Sequence, residues 1–123
     1  MNFPLDAQHD SLENVLRCVQ TYRRYCNSNS LLSFEMVLLV ASRGPTVPVQ
    51  IAKALSRSEA STSVGLDHLG TGSPKFGRTL GEPPDLLTKI SHPVDARMKL
   101  AALTQRGNQL AAEMRASLKY PLY

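Results

Sequence analysis

Apolar side chains recur at steps of three and four residues between Asp10 and Asn27, and this spacing predicts an amphipathic helix. Asp10, with Glu13 three residues later, resembles a capping box at the start of that helix. A helix of this kind packs either inside its own chain or against a second chain, and the pattern leaves both alternatives open. Its apolar positions are Leu12, Val15, Leu16, Val19, Tyr22 and Cys26.

A second helix is predicted after a polar break at residues 27–30, with Ser33 as its N-cap and its end near Arg43. Gly44 followed by Pro45 is a typical end signal, because glycine accepts the backbone conformation after a helix and proline cannot continue it. The segment is apolar nearly all round, which predicts a place at the centre of the core. Its apolar residues include Phe34, Val37, Leu38 and Ala41.

Residues 46–69 predict two short helices joined by a tight polar turn, the helix-turn-helix arrangement. Thr46 is the candidate N-cap of the first helix, and Pro48 fits the first turn, where its missing N–H leaves no helical bond unmade. Ser58 is the candidate N-cap of the second helix, which extends to about Leu69. The positions predicted to face the core are Ile51, Ala52 and Leu55 in the first helix and Thr62, Leu66 and Leu69 in the second.

Residues 71–85 hold three glycines and three prolines, which predicts a long loop. Two strands are then predicted at residues 86–90 and 97–103, joined by a turn, so that residues 86–103 form a hairpin or wing. Thr104 is the candidate N-cap of the last helix, which Pro121 ends. One face of that helix carries Leu110, Ala111, Met114 and Leu118.

These elements predict a single domain over residues 1–123, mainly α with a small β-hairpin wing, in the order of an α+β winged helix-turn-helix. A chain of 123 residues with 42% hydrophobic side chains builds a core without disulfides. No apolar run approaches the roughly 20 residues that cross a bilayer. The start, MNFPLDAQHD, lacks the basic end and apolar stretch of a signal peptide. We therefore expect a cytoplasmic protein without a membrane partner.

The net charge of +4 and the isoelectric point near 9.3 suit a polyanionic partner. The excess is local, since residues 53–106 hold eight basic and five acidic side chains while residues 1–45 hold four of each. An excess of this size also occurs on proteins that never meet nucleic acid, so the charge favours a nucleic-acid partner without deciding it.

Catalytic and metal-binding chemistry finds little support in the sequence. Cys18 and Cys26 would lie about 12 Å apart along one helix, too far for a disulfide within the chain, so we expect free thiols that are buried and inert. His9, His68 and His92 lack ligand spacing with a cysteine or an acid, which argues against a metal site. We expect no catalytic residue, no metal, no cofactor and no enzyme activity.

A phosphate-binding loop is excluded on similar grounds. Residues 72–79 come within one residue of the P-loop pattern, with Arg78 where lysine should be. That motif works when a strand feeds a glycine loop at a helix start, whereas here a helix precedes the segment and prolines flank it. Lys75 and Arg78 are better interpreted as contacts to a DNA backbone or as solvated loop residues.

The wing and the helix after it carry a specific resemblance. His92-Pro-Val-Asp-Ala-Arg97, Leu100 and Leu103-Thr-Gln-Arg-Gly107, together with Ile51-Ala52 and Leu55, resemble the pattern of the MarR transcriptional regulators. Those proteins have a D-x-R turn, then a strand that ends in L-T-x-x-G at the start of a long helix. The resemblance covers roughly Leu12 to Leu118.

The resemblance implies a homodimer held by its first and last helices, residues 10–27 and 104–119, which binds duplex DNA. Each second helix of the helix-turn-helix would enter the major groove as a recognition helix. Arg97 would be the wing-tip arginine that reaches the minor groove, and Asp95 would orient its guanidinium. A small-molecule effector between the dimer and DNA-binding regions is also implied. The expected dimer contacts are Leu12, Val15, Leu16, Val19, Leu110, Met114 and Leu118.

The recognition helix departs from what base reading usually needs, because it contains no Lys or Arg. The candidates there are Ser58, Ser61, Ser63, Val64 and His68, and the candidates for phosphate contacts are Lys53, Arg57, Lys75, Arg78, Lys89 and Lys99. We therefore keep two hypotheses. One is a regulator of transcription, a repressor located on the nucleoid; the other is a winged-helix protein-interaction module of a nucleoprotein or mobile-element complex that has lost base readout.

Overall fold

The computed structural model describes residues 11–27, 30–70 and 84–119, which form five helices and a two-stranded antiparallel sheet. The predictions made for Asp10, for residues 71–83 and for Pro121 lie outside these residues. The mainly helical fold with one hairpin agrees with the predicted class. In chain order the elements are α1 (Ser11–Tyr25), α2 (Leu31–Arg43), α3 (Pro48–Ala54), α4 (Glu59–Leu69), β1 (Leu87–Ser91), β2 (Lys99–Leu103) and α5 (Gln105–Lys119).

The helix α2 lies at the centre of the core, as its apolar sequence predicts, with Met36 and Val37 fully buried. Its predicted N-cap is wrong. The hydroxyl of Ser30, and not that of Ser33, caps the helix by accepting the backbone N–H of Ser33 at 3.1 Å, so the helix begins at Leu31. Gly44 ends it as predicted, at a φ of +86° that side chains with a Cβ rarely adopt.

The helix-turn-helix is formed by α3 and α4. Pro48 occupies the first turn of α3, and Ser58 caps α4 by accepting the backbone N–H of Ser61 at 3.0 Å, both as predicted. Ile51 and Ala52 are buried, while Leu55 is half-buried at the turn. The pattern along α4 is also confirmed, since Thr62, Leu66 and Leu69 are its buried positions.

Thr46 does not cap α3, which corrects the prediction. The N-cap position is Val47, and no side chain caps that end. Thr46 instead pairs with Ala101 of β2, donating its N–H to the Ala101 carbonyl at 3.0 Å and accepting the Ala101 N–H at 2.8 Å. The chain entering the helix-turn-helix is therefore attached to the wing by a short antiparallel bridge.

The root of the wing is held by backbone contacts to the helices on either side. Leu86 donates its N–H to the Leu69 carbonyl at the end of α4 and accepts the Thr104 N–H at the start of α5. Thr104 caps α5 as predicted, because its hydroxyl accepts the Gly107 N–H at 2.9 Å and donates to the Asp85 carbonyl at 2.7 Å. A Cβ on Gly107 would overlap the Leu86 carbonyl, which explains why the L-T-x-x-G pattern requires glycine there.

The helices α1 and α5 pack along each other. Tyr25 donates a hydrogen bond to Glu113, and Arg24 lies 3.4 Å from the same carboxylate. Arg106 donates to the Tyr25 carbonyl at 2.8 Å and lies 4.7 Å from the centre of the Tyr25 ring. The end of α1 is therefore joined to α5 by a polar cluster around the Tyr25 side chain.

The apolar residues of α1 and α5 divide between two environments. On α1 the core-facing residues are Cys18 and Tyr22, whereas Leu12 and Leu16 are exposed at 72% and 52%. On α5, Leu110 and Met114 are buried in the core of the chain. The prediction that Leu110 and Met114 are dimer contacts is thus corrected: their side chains pack inside the monomer, so they support the helix rather than offer a surface.

Candidate nucleic-acid interface

The tip of the wing, residues 92–98, presents one cation to solvent. The Arg97 side chain is 92% exposed, and its Nε donates to Asp95 Oδ1 at 3.2 Å. The Arg97 backbone N–H donates to the same oxygen at 3.1 Å. These bonds from Arg97 hold the pKa of the Asp95 carboxyl below its ordinary value. The predicted Asp95–Arg97 pair is therefore present and holds the guanidinium at the tip.

His92 supports this turn in a way that the sequence reasoning missed. Its Nδ1 accepts the backbone N–H of Val94 at 3.0 Å and that of Asp95 at 3.2 Å. The available signal was a side chain with an acceptor placed directly before Pro93, since such residues commonly bond to the backbone two or three positions later.

The helix α4 presents small neutral side chains together with two exposed carboxylates, those of Glu59 and Asp67. Ser61, Ser63 and Val64 are exposed, so they are available to a groove, and Ser58 is exposed at the N-cap. His68 is half-buried and lies beside a cavity, which differs from the exposed position that we expected. Hydroxyls and one apolar surface are what this helix offers to a base pair.

The other predicted cations that the structure describes lie on α3, in the turn before α4 and on the two strands of the wing. Lys53, Arg57 and Lys99 are exposed, and Lys99 Nζ donates to Ser91 Oγ at 3.3 Å. Lys89 lies 3.8 Å from Asp67, so β1 and α4 are joined by an ion pair whose two side chains are both about half exposed. Lys75 and Arg78 lie outside the described residues.

A cavity of about 470 Å³ lies between the start of α2 and the recognition helix. Its surface is mostly apolar, with a few polar groups at its edge. Any molecule bound there would touch α4 directly. The lining includes Leu32, Ser33, Ser61, Val64 and His68.

The two cysteines are buried free thiols, as expected. Burial raises the pKa of the Cys18 thiol, which disfavours the reactive thiolate. Tyr22 donates its hydroxyl proton to Cys26 Sγ at 3.4 Å, and burial raises the pKa of that phenol as well. Among the described residues, no three His, Cys, Asp or Glu side chains gather where they could hold a metal ion. Each described helix is too short or too polar to cross a lipid bilayer.

Solved structures with the same arrangement are found among bacterial proteins. RV1404 of Mycobacterium tuberculosis has a TM-score of 0.62 at 19% identity, over 97% of this chain and 76% of that chain. A MarR-like transcriptional regulator of Thermotoga maritima has a TM-score of 0.58 at 23% identity, over 88% of this chain and 72% of that chain. This chain has the MarR-like winged-helix fold. No protein-family model matches the sequence, and no curated protein is significantly similar to it.

A third structure with the MarR-like winged-helix fold is BpsR of Bordetella bronchiseptica. It has a TM-score of 0.54 at 21% identity, over 86% of this chain and 69% of that chain. BpsR is described as a protein whose DNA binding is regulated by 6-hydroxynicotinic acid.

Proposed function

We propose that this protein is a DNA-binding regulator of transcription, a repressor that binds duplex DNA as a homodimer. In this proposal α4 enters the major groove and Arg97 enters the minor groove. The observation that carries it is the Arg97 guanidinium, which is almost fully exposed at the tip of a hairpin and oriented by Asp95. A narrow minor groove concentrates negative potential and attracts an arginine presented in this way.

The contacts from the recognition helix are proposed to be few and neutral. Ser58, Ser61 and Ser63 offer hydroxyls, and Val64 offers an apolar contact to a thymine methyl group. Lys53, Arg57, Lys89 and Lys99, together with Lys75 and Arg78, would neutralise phosphates and supply the salt-dependent part of the affinity.

The test is a fluorescence anisotropy titration on the DNA upstream of the protein's own coding sequence and on a random duplex, at two salt concentrations. We expect tighter binding to the upstream duplex. Arg97→Ala should weaken binding about tenfold and reduce the salt dependence by about one released ion. The matched control is Arg43→Ala, which removes the same charge from an exposed position at the end of α2 and should leave binding unchanged.

Absence of binding at low salt would overturn this proposal and favour the second candidate, a winged-helix protein-interaction module. One observation supports that candidate: α4 carries Glu59 and Asp67 but no cation. A surface of this composition repels phosphate and is compatible with a protein partner. A pull-down with the wild-type protein and an α4 surface variant would then be the next measurement.

The homodimer is proposed to form through the exposed apolar face of α1 and the end of α5. Leu12, Val15, Leu16 and Leu118 are exposed there, and Val19 is half-buried beside them. An apolar surface of this kind on a small monomer commonly marks an interface. Light scattering at tens of micromolar should report a dimer, and Leu16→Glu should convert it to a monomer.

Val94→Glu is the control for the dimer, because it adds the same charge at an exposed apolar residue of the wing. It should leave the dimer intact. A monomeric wild-type protein at this concentration would contradict the proposed assembly without bearing on the fold.

A small-molecule effector is proposed to occupy the cavity between α2 and α4, by analogy with the regulation described for BpsR. A ligand in contact with Val64 and His68 would bias the position of the recognition helix. Small aromatic acids added to the anisotropy titration should release the DNA. A panel without effect on wild-type protein would count against this site. So would the same effect on Ala60→Leu, a variant that adds bulk at the lining of the cavity.

A further inference from the structure

We propose that His92 is a positioning residue of the wing, whose unprotonated Nδ1 holds the tip in the conformation that presents Arg97 to DNA. The effect on DNA binding rests on the proposed function. The role of the ring in the turn rests only on contacts within the turn. His92 itself does not need to touch DNA in this proposal.

Two backbone donors converge on one ring nitrogen. The N–H groups of Val94 and Asp95 both donate to His92 Nδ1, at 3.0 and 3.2 Å. A ring nitrogen that accepts hydrogen bonds carries no proton, so the proton of the neutral ring lies on Nε2. Pro93, which lies between His92 and Val94 in the chain, has no N–H and a restricted φ, and this favours a tight turn at this position.

The turn is closed by backbone bonds on either side of the ring. His92 donates its N–H to the Met98 carbonyl at 3.0 Å, and Met98 donates its N–H to the Asp95 carbonyl at 2.9 Å. The imidazole therefore accepts two N–H groups of the turn, which lie outside the pairing of β1 with β2.

The effect on Arg97 passes through Asp95. The His92 ring fixes the Asp95 backbone, and the Asp95 carboxylate then receives both the backbone N–H and the guanidinium of Arg97. Three residues thus act in series: ring, carboxylate and guanidinium. If the first contact is lost, the carboxylate is no longer held where it orients the cation.

Protonation of the ring removes the acceptor. A proton on Nδ1 would face the two backbone N–H groups, and the new cation would compete with Arg97 for the Asp95 carboxylate. The other charged groups of the hairpin are Lys99, whose Nζ donates to Ser91 Oγ, and Lys89, which is paired with Asp67 of α4.

Three substitutions of His92 distinguish the effect of the hydrogen-bond acceptor from the effect of the ring shape. Asn places its Oδ1 at the same distance from the backbone as His Nδ1 and does not titrate. Gln places its oxygen one bond farther out, and Ala has no acceptor. His92→Asn should therefore keep the turn, whereas His92→Gln and His92→Ala should lose it.

The first readout does not depend on DNA. Amide hydrogen exchange of Val94 and Asp95, and the backbone ¹⁵N relaxation of Arg97, are measured by NMR at pH 8.0. We expect protected amides and an ordered Arg97 in wild type and in His92→Asn. Protection should be lost in His92→Ala. Equal protection in wild type and His92→Ala at pH 8.0 would overturn the proposal.

The second readout is DNA affinity. At pH 8.0, His92→Ala and His92→Gln should bind about three- to tenfold more weakly than wild type, the range expected for the loss of one or two hydrogen bonds. His92→Asn should stay within about twofold of wild type. If His92→Asn is as weak as His92→Ala, the acceptor is not the cause. If no variant binds DNA but the exchange results hold, the proposed function fails and the turn is still assigned.

Discussion

The wing and the recognition helix lie side by side, yet they offer opposite chemistry. The wing carries Lys89, Arg97 and Lys99, whereas α4 carries Glu59 and Asp67 without a cation. Of these two elements, the cations therefore lie on the hairpin alone. In the proposed function, contacts to the phosphates and to the minor groove supply the affinity. Sequence selectivity comes from hydroxyl contacts to the bases and from the sequence-dependent shape of the DNA.

The two regions also differ in how they are held. Packing in α4 depends on side chains: a Cβ on Gly65 would lie 2.6 Å from the flexible end of Met36. The wing root depends on backbone groups. The Leu86 carbonyl accepts the Thr104 N–H and lies directly beside the Cα of Gly107. A side chain moves aside more easily than a backbone carbonyl that is already hydrogen-bonded. The wing root should therefore tolerate substitution less well than the recognition helix.

The largest effect is expected for Gly107→Ala, which places a methyl group against the Leu86 carbonyl. The free energy of unfolding should fall by about 2–3 kcal/mol, measured by urea denaturation, even though alanine is the better helix former. Gly65→Ala is the matched control, and it should change stability by less than about 1 kcal/mol because Met36 can shift. Equal losses in the two variants would show that the wing root and α4 are held in the same way.

A smaller effect is expected from the caps of the two regions. Thr104→Ala removes the cap of α5 and the bond to the Asp85 carbonyl, so stability should fall by about 1–2 kcal/mol. Ser58→Ala removes only the cap of α4, which should cost about 1 kcal/mol or less at an exposed position. Thermal unfolding of both variants measures the difference. A larger loss for Ser58→Ala would contradict the ranking of the wing root above α4.

Local signals predicted most of this architecture. Gly44, Ser58 and Thr104 were recognised as helix ends because a cap involves only the next three or four residues. Thr46 and Ser33 carry the same kind of signal, but other contacts decide their roles. Thr46 pairs with Ala101, far away in the chain, and Ser33 lies inside a helix that Ser30 already caps. Sequence patterns cannot distinguish these cases, since the competing partner is brought close only by the fold.

Periodicity identified the apolar faces without showing what each face contacts. Leu110 and Leu16 occupy similar positions in amphipathic patterns, yet one is fully buried in the chain and the other is half exposed. The same limit applies to charged residues. The sequence predicts Lys89 as a phosphate contact, but it does not show that the fold brings Lys89 close to Asp67. The Asp95–Arg97 pair is predicted from the resemblance to the D-x-R turn of the MarR pattern. The role of the His92 ring depended on the turn geometry itself.

The smallest effect is expected for the ion pair between the wing and α4. It is also the sharpest test of how the charges of these two regions differ. Asp67→Asn removes an anion from α4 and releases Lys89 from a contact of 3.8 Å. DNA affinity should rise about threefold at low salt, and the gain should shrink as salt increases, because both side chains are half exposed and screened. Glu13→Gln removes the same charge from an exposed position of α1 and should have no such effect. An unchanged affinity for Asp67→Asn would mean that α4 does not approach the phosphates, and the wing and the predicted cations outside α4 would then be the proposed contacts left to explain binding.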